Sequence, residues 1–258
     1  MKVEKVYCAY FSPTGSSKRL AEAVAGVFTA EYEQIDLTKM ENRNKPYHLD
    51  KGAVLIASAP VYAGRVQAQA AEAFKRFSAP QCPVVLLAVY GNRHYEDALL
   101  EMADIFQSGG FVPAAAGAFV AEHSFSKAIA GGRPDQADIE KAGTFAQQAK
   151  EIIEQKDAYT CTLPGNRPYR DGMGKLPFHP ETAESCVGCM RCAKRCPMQA
   201  IDTLDVKKID GDKCIKCMAC VKGCAVGAKY VDSEPFLTTV SRLESLCAAR
   251  REPEFFFG

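Results

Sequence analysis

Residues 3–11 (VEKVYCAYF) make a β-rich apolar run, and in residues 16–29 Leu20, Val24, Val27 and Phe28 share one helical face. The alternation continues for about 150 residues. Residues 32–37 (YEQIDL) predict a second strand, 52–59 (GAVLIASA) a buried third, 66–77 a helix and 83–90 (PVVLLAVY) a buried fourth strand. A helix at 95–108, a fifth strand at 114–121 and a helix at 136–155 complete the series. Strands alternating with helices predict an α/β domain with a parallel, doubly wound sheet. In the order 2-1-3-4-5, ligands bind beyond the carboxyl ends of strands 1 and 3, where the order reverses. The loops at that edge are 12–17, 60–65 and 90–95.

The periodicity stops at residue 156. Pro164, Gly165, Pro168, Gly172, Gly174, Pro177 and Pro180 exclude regular structure over 157–185 and predict a stiff strap. Residues 236–250 predict a helix with Leu237, Val240, Leu243 and Leu246 or Cys247 inward. Phe255, Phe256 and Phe257 then either pack across a domain or subunit boundary or stay unordered. The expected division is 1–156, an α/β domain; 157–180, a linker; 181–231, a small cysteine-rich α+β domain; and 232–258, a helix and tail.

That third segment holds eight of the 12 cysteines. Cys186, Cys189, Cys192 and Cys196 are spaced C-x2-C-x2-C-x3-C; Cys214, Cys217, Cys220 and Cys224 repeat the spacing. Pro197 follows the first run and Ala225 the second. Three thiolates of one tight loop reach three irons of one cubane, while the fourth serves the other cluster. The cross-over assigns Cys186, Cys189, Cys192 and Cys224 to one [4Fe–4S] cluster, and Cys214, Cys217, Cys220 and Cys196 to a second. Zinc sites draw on CxxC pairs far apart in sequence, and disulfides need an oxidising compartment. Neither fits two such runs in a chain without an export leader, and the expected location is a reducing cytoplasm, in an anaerobe. The segment is too small for a stable apolar core, so the clusters must serve as its core. Cys8, Cys82, Cys161 and Cys247 read as structural.

The formal net charge of +1 gives no reason to expect nucleic acid, and the absence of an eighteen-residue apolar stretch argues against a membrane span. Residues 186–231 nevertheless carry nine Lys/Arg against four Asp/Glu. Each oxidised cluster with its thiolates carries roughly −2, so much of this excess offsets the clusters. Lys194, Arg195, Lys207 and Lys208 are either a partner's docking patch or a solvated surface.

Between the first strand and first helix lies Ser12-Pro13-Thr14-Gly15-Ser16-Ser17. Free backbone N–H groups and a positive helix end converge at such a loop, so it can seat a phosphate, although any α/β protein also needs a helix cap there. The stretch resembles the S/T-x-T-G-x-T loop with which flavodoxins hold the phosphate of FMN, with Ser17 in place of the usual Thr and Ser16 where Asn is common. Joined to the cysteine runs, the whole order resembles the flavodoxin–ferredoxin fusions, with a flavodoxin-like domain before a bacterial two-cluster ferredoxin domain. The resemblance implies FMN and two [4Fe–4S] clusters as cofactors. It extends to Pro60-Val61-Tyr62-Ala63-Gly64-Arg65, to Tyr90-Gly91-Asn92-Arg93 with Tyr95 nearby, and to residues 117–126. In flavodoxins the second and third loops frame the flavin ring. With no Trp in the chain, Tyr62, Tyr90 or Tyr95 would take that part, or else pack as ordinary loop side chains. Arg65 and Arg93 would raise the flavin potential or receive an acidic partner unless simply solvated, and His94 and His123 are weak proton donors to it.

Three functions follow. The first is an electron carrier passing electrons between FMN, two clusters and an external redox protein. The second is an FMN-dependent reductase of a quinone or nitro compound. The third is a cluster-only relay that has lost FMN. Which partner is used, and whether the flavin faces its own chain's clusters or those of a homodimer partner, lies outside the sequence.

Overall fold

The computed structural model describes residues 2–156 and 158–258; Met1 and Asp157, which open the expected N-terminal domain and linker, lie outside the described residues. Among the described residues the main sheet has six strands along its path, β1 (Lys5–Tyr10), β2 (Glu33–Asp36), β3 (Ala53–Tyr62), β4 (Pro83–Tyr90), β5 (Val112–Val120) and β6 (Glu254–Phe257), with Arg65–Val66 pairing off it onto β3. Their spatial order is 2-1-3-4-5-6, parallel except for β6, which runs antiparallel to β5. The first five strands thus have the expected flavodoxin-like order.

The sheet is buried on both faces because its strands are apolar at successive positions, as the interior strands of a parallel sheet must be. Alternation sorts these side chains into two cores. Leu55, Ala57, Val84, Leu86, Ala116 and Ala118 point to the layer of α2 (Ala68–Phe74) and α3 (Ala98–Ser108). Val54, Ile56, Val85, Leu87, Ala115 and Phe119 point to α1 (Ser16–Phe28) and α4 (Gln136–Gln155). The α4 helix starts on a capping box between Asp135 and Asp138.

Residues 158–180 are irregular, and the strap is fastened along α3. Asp97 accepts the backbone N–H groups of Asn166 and Arg170, both at 2.8 Å, and Asp104 pairs with Arg167. The cysteine-rich segment then brings two short helices, α5 (Arg191–Arg195) and α6 (Ala219–Lys222), against the carboxyl end of the sheet. Phe125 after β5, Phe178 of the strap and Phe236 of α7 (Glu234–Leu246) meet edge-on with Met218 beside them, joining all four parts of the chain.

Beyond α7 the chain returns to the first domain. The tail becomes β6, and Phe255 and Phe257 pack on Phe145 of α4. The paired backbone closes an edge that the strand order 2-1-3-4-5 leaves open.

Candidate functional site

The loops at the carboxyl edge enclose a cavity of about 250 Å³. Ser12, Thr14, Ser16 and Ser17 line it from the first loop; Pro60, Val61, Tyr62 and Ala63 from the second; Tyr90, Gly91 and Arg93 from the third. The first loop is built to receive an anion. Gly15 adopts φ +96° immediately before α1, a conformation that favours glycine. The Ser12 hydroxyl accepts the N–H of Lys18 at 2.9 Å, and Arg19 N–H reaches Gly15. The N–H groups of Ser16 and Ser17 open the helix and have no partner among the described residues. Those free donors and four hydroxyls fit the phosphate of FMN without a cationic side chain.

The second loop is a two-residue hairpin. Ala63 and Gly64 both have positive φ, and Val61 and Tyr62 pair with Val66 and Arg65. This places Tyr62 against the cysteine segment; its burial, with Cys217 and Cys214 nearby, raises its phenol well above the usual range. Arg65 points elsewhere, forked onto Glu101 at 2.7 and 2.8 Å and bonded to the Arg170 carbonyl. Arg93 lines the cavity but is matched by Glu96 through two bonds of 2.9 and 2.5 Å. Both arginines therefore carry a bound carboxylate, which offsets the effect their charges would have on a flavin.

Within the third loop, a Cβ on Gly91 would lie 2.5 Å from the His123 ring, so only glycine fits at this approach. His123 Nδ1 accepts the N–H of Phe125 at 3.1 Å, which leaves Nε2 to carry the proton. Burial, helped by the Lys222 and Arg93 charges, lowers its pKa to about 4, so at neutral pH His123 is an uncharged donor on the cavity wall. His94 is turned towards Tyr95 and the backbone of Glu96.

Gly64, Asn92 and Tyr95 lie outside the cavity lining. The Asn92 amide donates to the carbonyls of Cys247 and Ala249, and the Tyr95 hydroxyl donates to Glu254 at 2.8 Å. Both hold the C-terminal tail. Conversely, Met173 and Leu176 of the strap, Thr239 and Leu243 of α7, and Lys216 and Cys217 also line it. The sequence marks only Cys217 of these six, and as a cluster ligand; all six reach the cavity only through domain packing.

The two cysteine runs repeat one backbone conformation. Gly188 and Met190 in the first, like Lys216 and Met218 in the second, have positive φ, two and four residues after the leading cysteine. Cys196, Cys214, Cys217 and Cys220 line one small cage with Pro197, Ile201, Ile209, Ile215 and Met218. This is the set that the cross-over rule groups together. Cys186 and Cys192 pack on the other side against Ala193, Ile201 and Val206. Cys189 is exposed, as is Val187 beside it.

The thiols differ in their surroundings. Burial pushes Cys217 and Cys220 up to about 12, so cluster assembly at these positions must displace protons. For Cys224, burial opposes ionisation, but the backbone N–H groups of Lys229, Ala228, Val226 and Gly227 outweigh it and lower the pKa. The described residues contain no group of three or more His, Cys, Asp or Glu placed for a single metal ion. A cubane differs from such a site in that each of its four thiolates takes a different iron, and the cage of four cysteines fits it.

Residues 185–229 match the 4Fe-4S dicluster domain family. No curated protein matches the sequence. Among solved structures, a flavodoxin from the domain Archaea aligns with 59% of this chain and 100% of its own at 12% identity and a TM-score of 0.38. A short-chain flavodoxin associated with a non-canonical PDU bacterial microcompartment aligns with 58% of this chain and 99% of its own, at 13% identity and TM-score 0.40. For an NAD(P)H:quinone oxidoreductase from Methanothermobacter marburgensis, the figures are 60% and 98%, 13% and 0.35. The fold rests on this chain's own strand order, and the iron–sulfur character on the dicluster match. The chain therefore has a redox, electron-transferring role. No helix among the described residues is long and apolar enough to cross a membrane.

Proposed function

We propose that the chain carries electrons between FMN in the carboxyl-edge cavity, the two [4Fe–4S] clusters and an external redox protein. The observation that carries this reading is the place of Cys217, which lines both the cavity and the four-cysteine cage. A single side chain thus separates the flavin site from the nearer cluster. In this assignment Cys196, Cys214, Cys217 and Cys220 hold the inner cluster, and Cys186, Cys189, Cys192 and Cys224 the outer one. The exposure of Cys189 and Val187 supports an outer cluster open to a partner protein.

FMN supplies the ability to accept two electrons together and to release them singly. The chain's own residues do the rest. Ser12, Thr14, Ser16 and Ser17, with the free N–H groups at the start of α1, bind the phosphate. Tyr62, Tyr90 and Gly91 form walls, His123 Nε2–H presents a neutral hydrogen-bond donor, and Met173 and Leu176 exclude water from the strap side. Thiolates that require reduction suit a cytoplasmic setting.

The test is an anaerobic determination of iron, sulfide and flavin on the purified full chain, with absorbance followed during stepwise reduction. About eight irons and one FMN per chain are expected from two cubanes and one flavin site. Eight irons without flavin, even after FMN is added, would leave a cluster-only relay. In Cys217→Ala, about half the iron should be lost.

A second reading is favoured by a neighbouring hollow of about 620 Å³, lined by Tyr62, Arg65, Gln67, Glu101 and Lys216. It would admit a small acceptor beside the flavin wall, making the protein a flavin-dependent reductase. Steady-state turnover with a quinone or nitro compound, compared with turnover through a protein acceptor, separates the two.

A further inference from the structure

Among the described residues two arginines are more than nine-tenths buried, Arg43 at 8% exposure and Arg133 at 5%. Arg133 has the partner that such burial requires, a bidentate ion pair with Asp138. Arg43 has none: no carboxylate lies in ion-pair range of it among the described residues. Exposed Glu41 acts on it only at longer range. Its Nη2 donates to the carbonyl of Pro197, its Nη1 approaches Met198 Sδ at 3.5 Å, and its Nε is buried without a partner. The guanidinium lies 5.9 Å from the centre of the Phe11 ring.

A guanidinium stays protonated in proteins, and burying it without a counter-charge is unfavourable. Such a group persists where an anion compensates it. The residue preceding Pro197, whose carbonyl Arg43 holds, is Cys196. Cys196 is also the crossing ligand of the four-cysteine cage. A cubane with its four thiolates carries roughly −2 when oxidised and one further negative charge after each electron it receives.

We infer that Arg43, reaching out of the flavodoxin-like domain onto Pro197, is the counter-cation of the inner cluster and sets its reduction potential. The electron, supplied by the flavin or by an external reductant, adds negative charge beside a fixed positive one, so Arg43 favours the reduced cluster. The same interaction works in reverse: reduction tightens the hold between the two domains by the factor by which docking eases reduction. Lys229, buried near Cys220, lies within the cluster segment itself and bonds to the Thr182 hydroxyl and the Val206 carbonyl. Arg43 alone of the two makes the potential depend on the neighbouring domain.

The inference rests on the ligand assignment proposed above, and the experiment separates the two. Anaerobically purified full-length wild type, Arg43→Gln and Arg43→Lys are assayed for iron and sulfide, then titrated with dithionite while the two clusters are followed by electron paramagnetic resonance. Incomplete iron in the wild type indicts the ligand assignment; a displaced potential at full iron reports on Arg43. In Arg43→Gln, the equilibrium for reducing one cluster should fall about tenfold or more, close to 59 mV for one electron. The other cluster should move far less, and Arg43→Lys should recover most of the loss. Unmoved potentials at full iron, or equal shifts of both clusters in both variants, would overturn the inference. Should Arg43→Gln fail to hold its iron, Arg43→Lys decides. Full iron and a near-native potential support a role for the charge, whereas iron loss in both variants refutes it.

Discussion

Asn92, in the loop after β4, donates its side-chain amide to the carbonyl of Cys247 at 2.7 Å, across 155 residues of sequence. The same amide reaches Ala249 at 2.8 Å, and its oxygen accepts the N–H of Arg251. One buried side chain thereby satisfies three backbone groups of the segment that leads into β6. Replacing Asn92 by Ala leaves those groups unpaired and should cost about 1–3 kcal/mol. The check is chemical denaturation of the intact protein, with hydrogen exchange at residues 254–257 expected to rise first.

Gly91 and His123 form a second close pair. A methyl at position 91 would meet the His123 ring at 2.5 Å, so Gly91→Ala must displace the imidazole or the loop. FMN affinity should fall about tenfold or more, the equivalent of 1.4 kcal/mol. Fluorescence titration of flavin-stripped protein with FMN measures it. Unchanged affinity would show that the wall formed by loop 90–95 does not touch the flavin.

Acidification should weaken the fold through His123. Its folded pKa of about 4 lies below the ordinary imidazole value of 6.5, so the unfolded chain binds the proton first as pH falls. The stabilisation that the neutral imidazole provides is complete above about pH 6.5 and is lost progressively towards pH 4. A difference of this size amounts to at most about 3 kcal/mol. Comparing wild type with His123→Gln at pH 7 and pH 5 cancels the acid lability of the clusters; the wild type should lose more stability than the variant.

The strap should open when its anchor is removed. Asp97 is buried and accepts two backbone N–H groups of the strap, so its carboxylate is held below the usual range, against the opposing effect of burial, by Arg170 and Asn166. Asp97→Ala should raise cleavage within residues 158–180 by about tenfold, because proteolysis follows the population of the open form. An unchanged cleavage rate would mean that the Arg167–Asp104 pair and the Phe178 contacts hold the strap by themselves.

Much of the molecule was legible along the chain because its determinants are local. Strands β1 to β5 and helices α1 and α4 appear at or within a few residues of the expected positions, since each is specified by its own periodicity and turn chemistry. The cysteine spacing carries its meaning within eleven residues, and the loop of Ser12 to Ser17 within six. Tertiary structure decided what depends on partners a hundred or more residues away. It turned Phe255–Phe257 into a sheet edge and drew Asn92 and Tyr95 to the tail. It also set Cys217 between cavity and cage, and Arg43 on the carbonyl of Pro197, next to Cys196 in the chain. A hydrophobic period or ligand spacing is written in neighbouring residues, whereas the partner of a buried polar group is settled only when remote segments are desolvated together and each donor must find an acceptor.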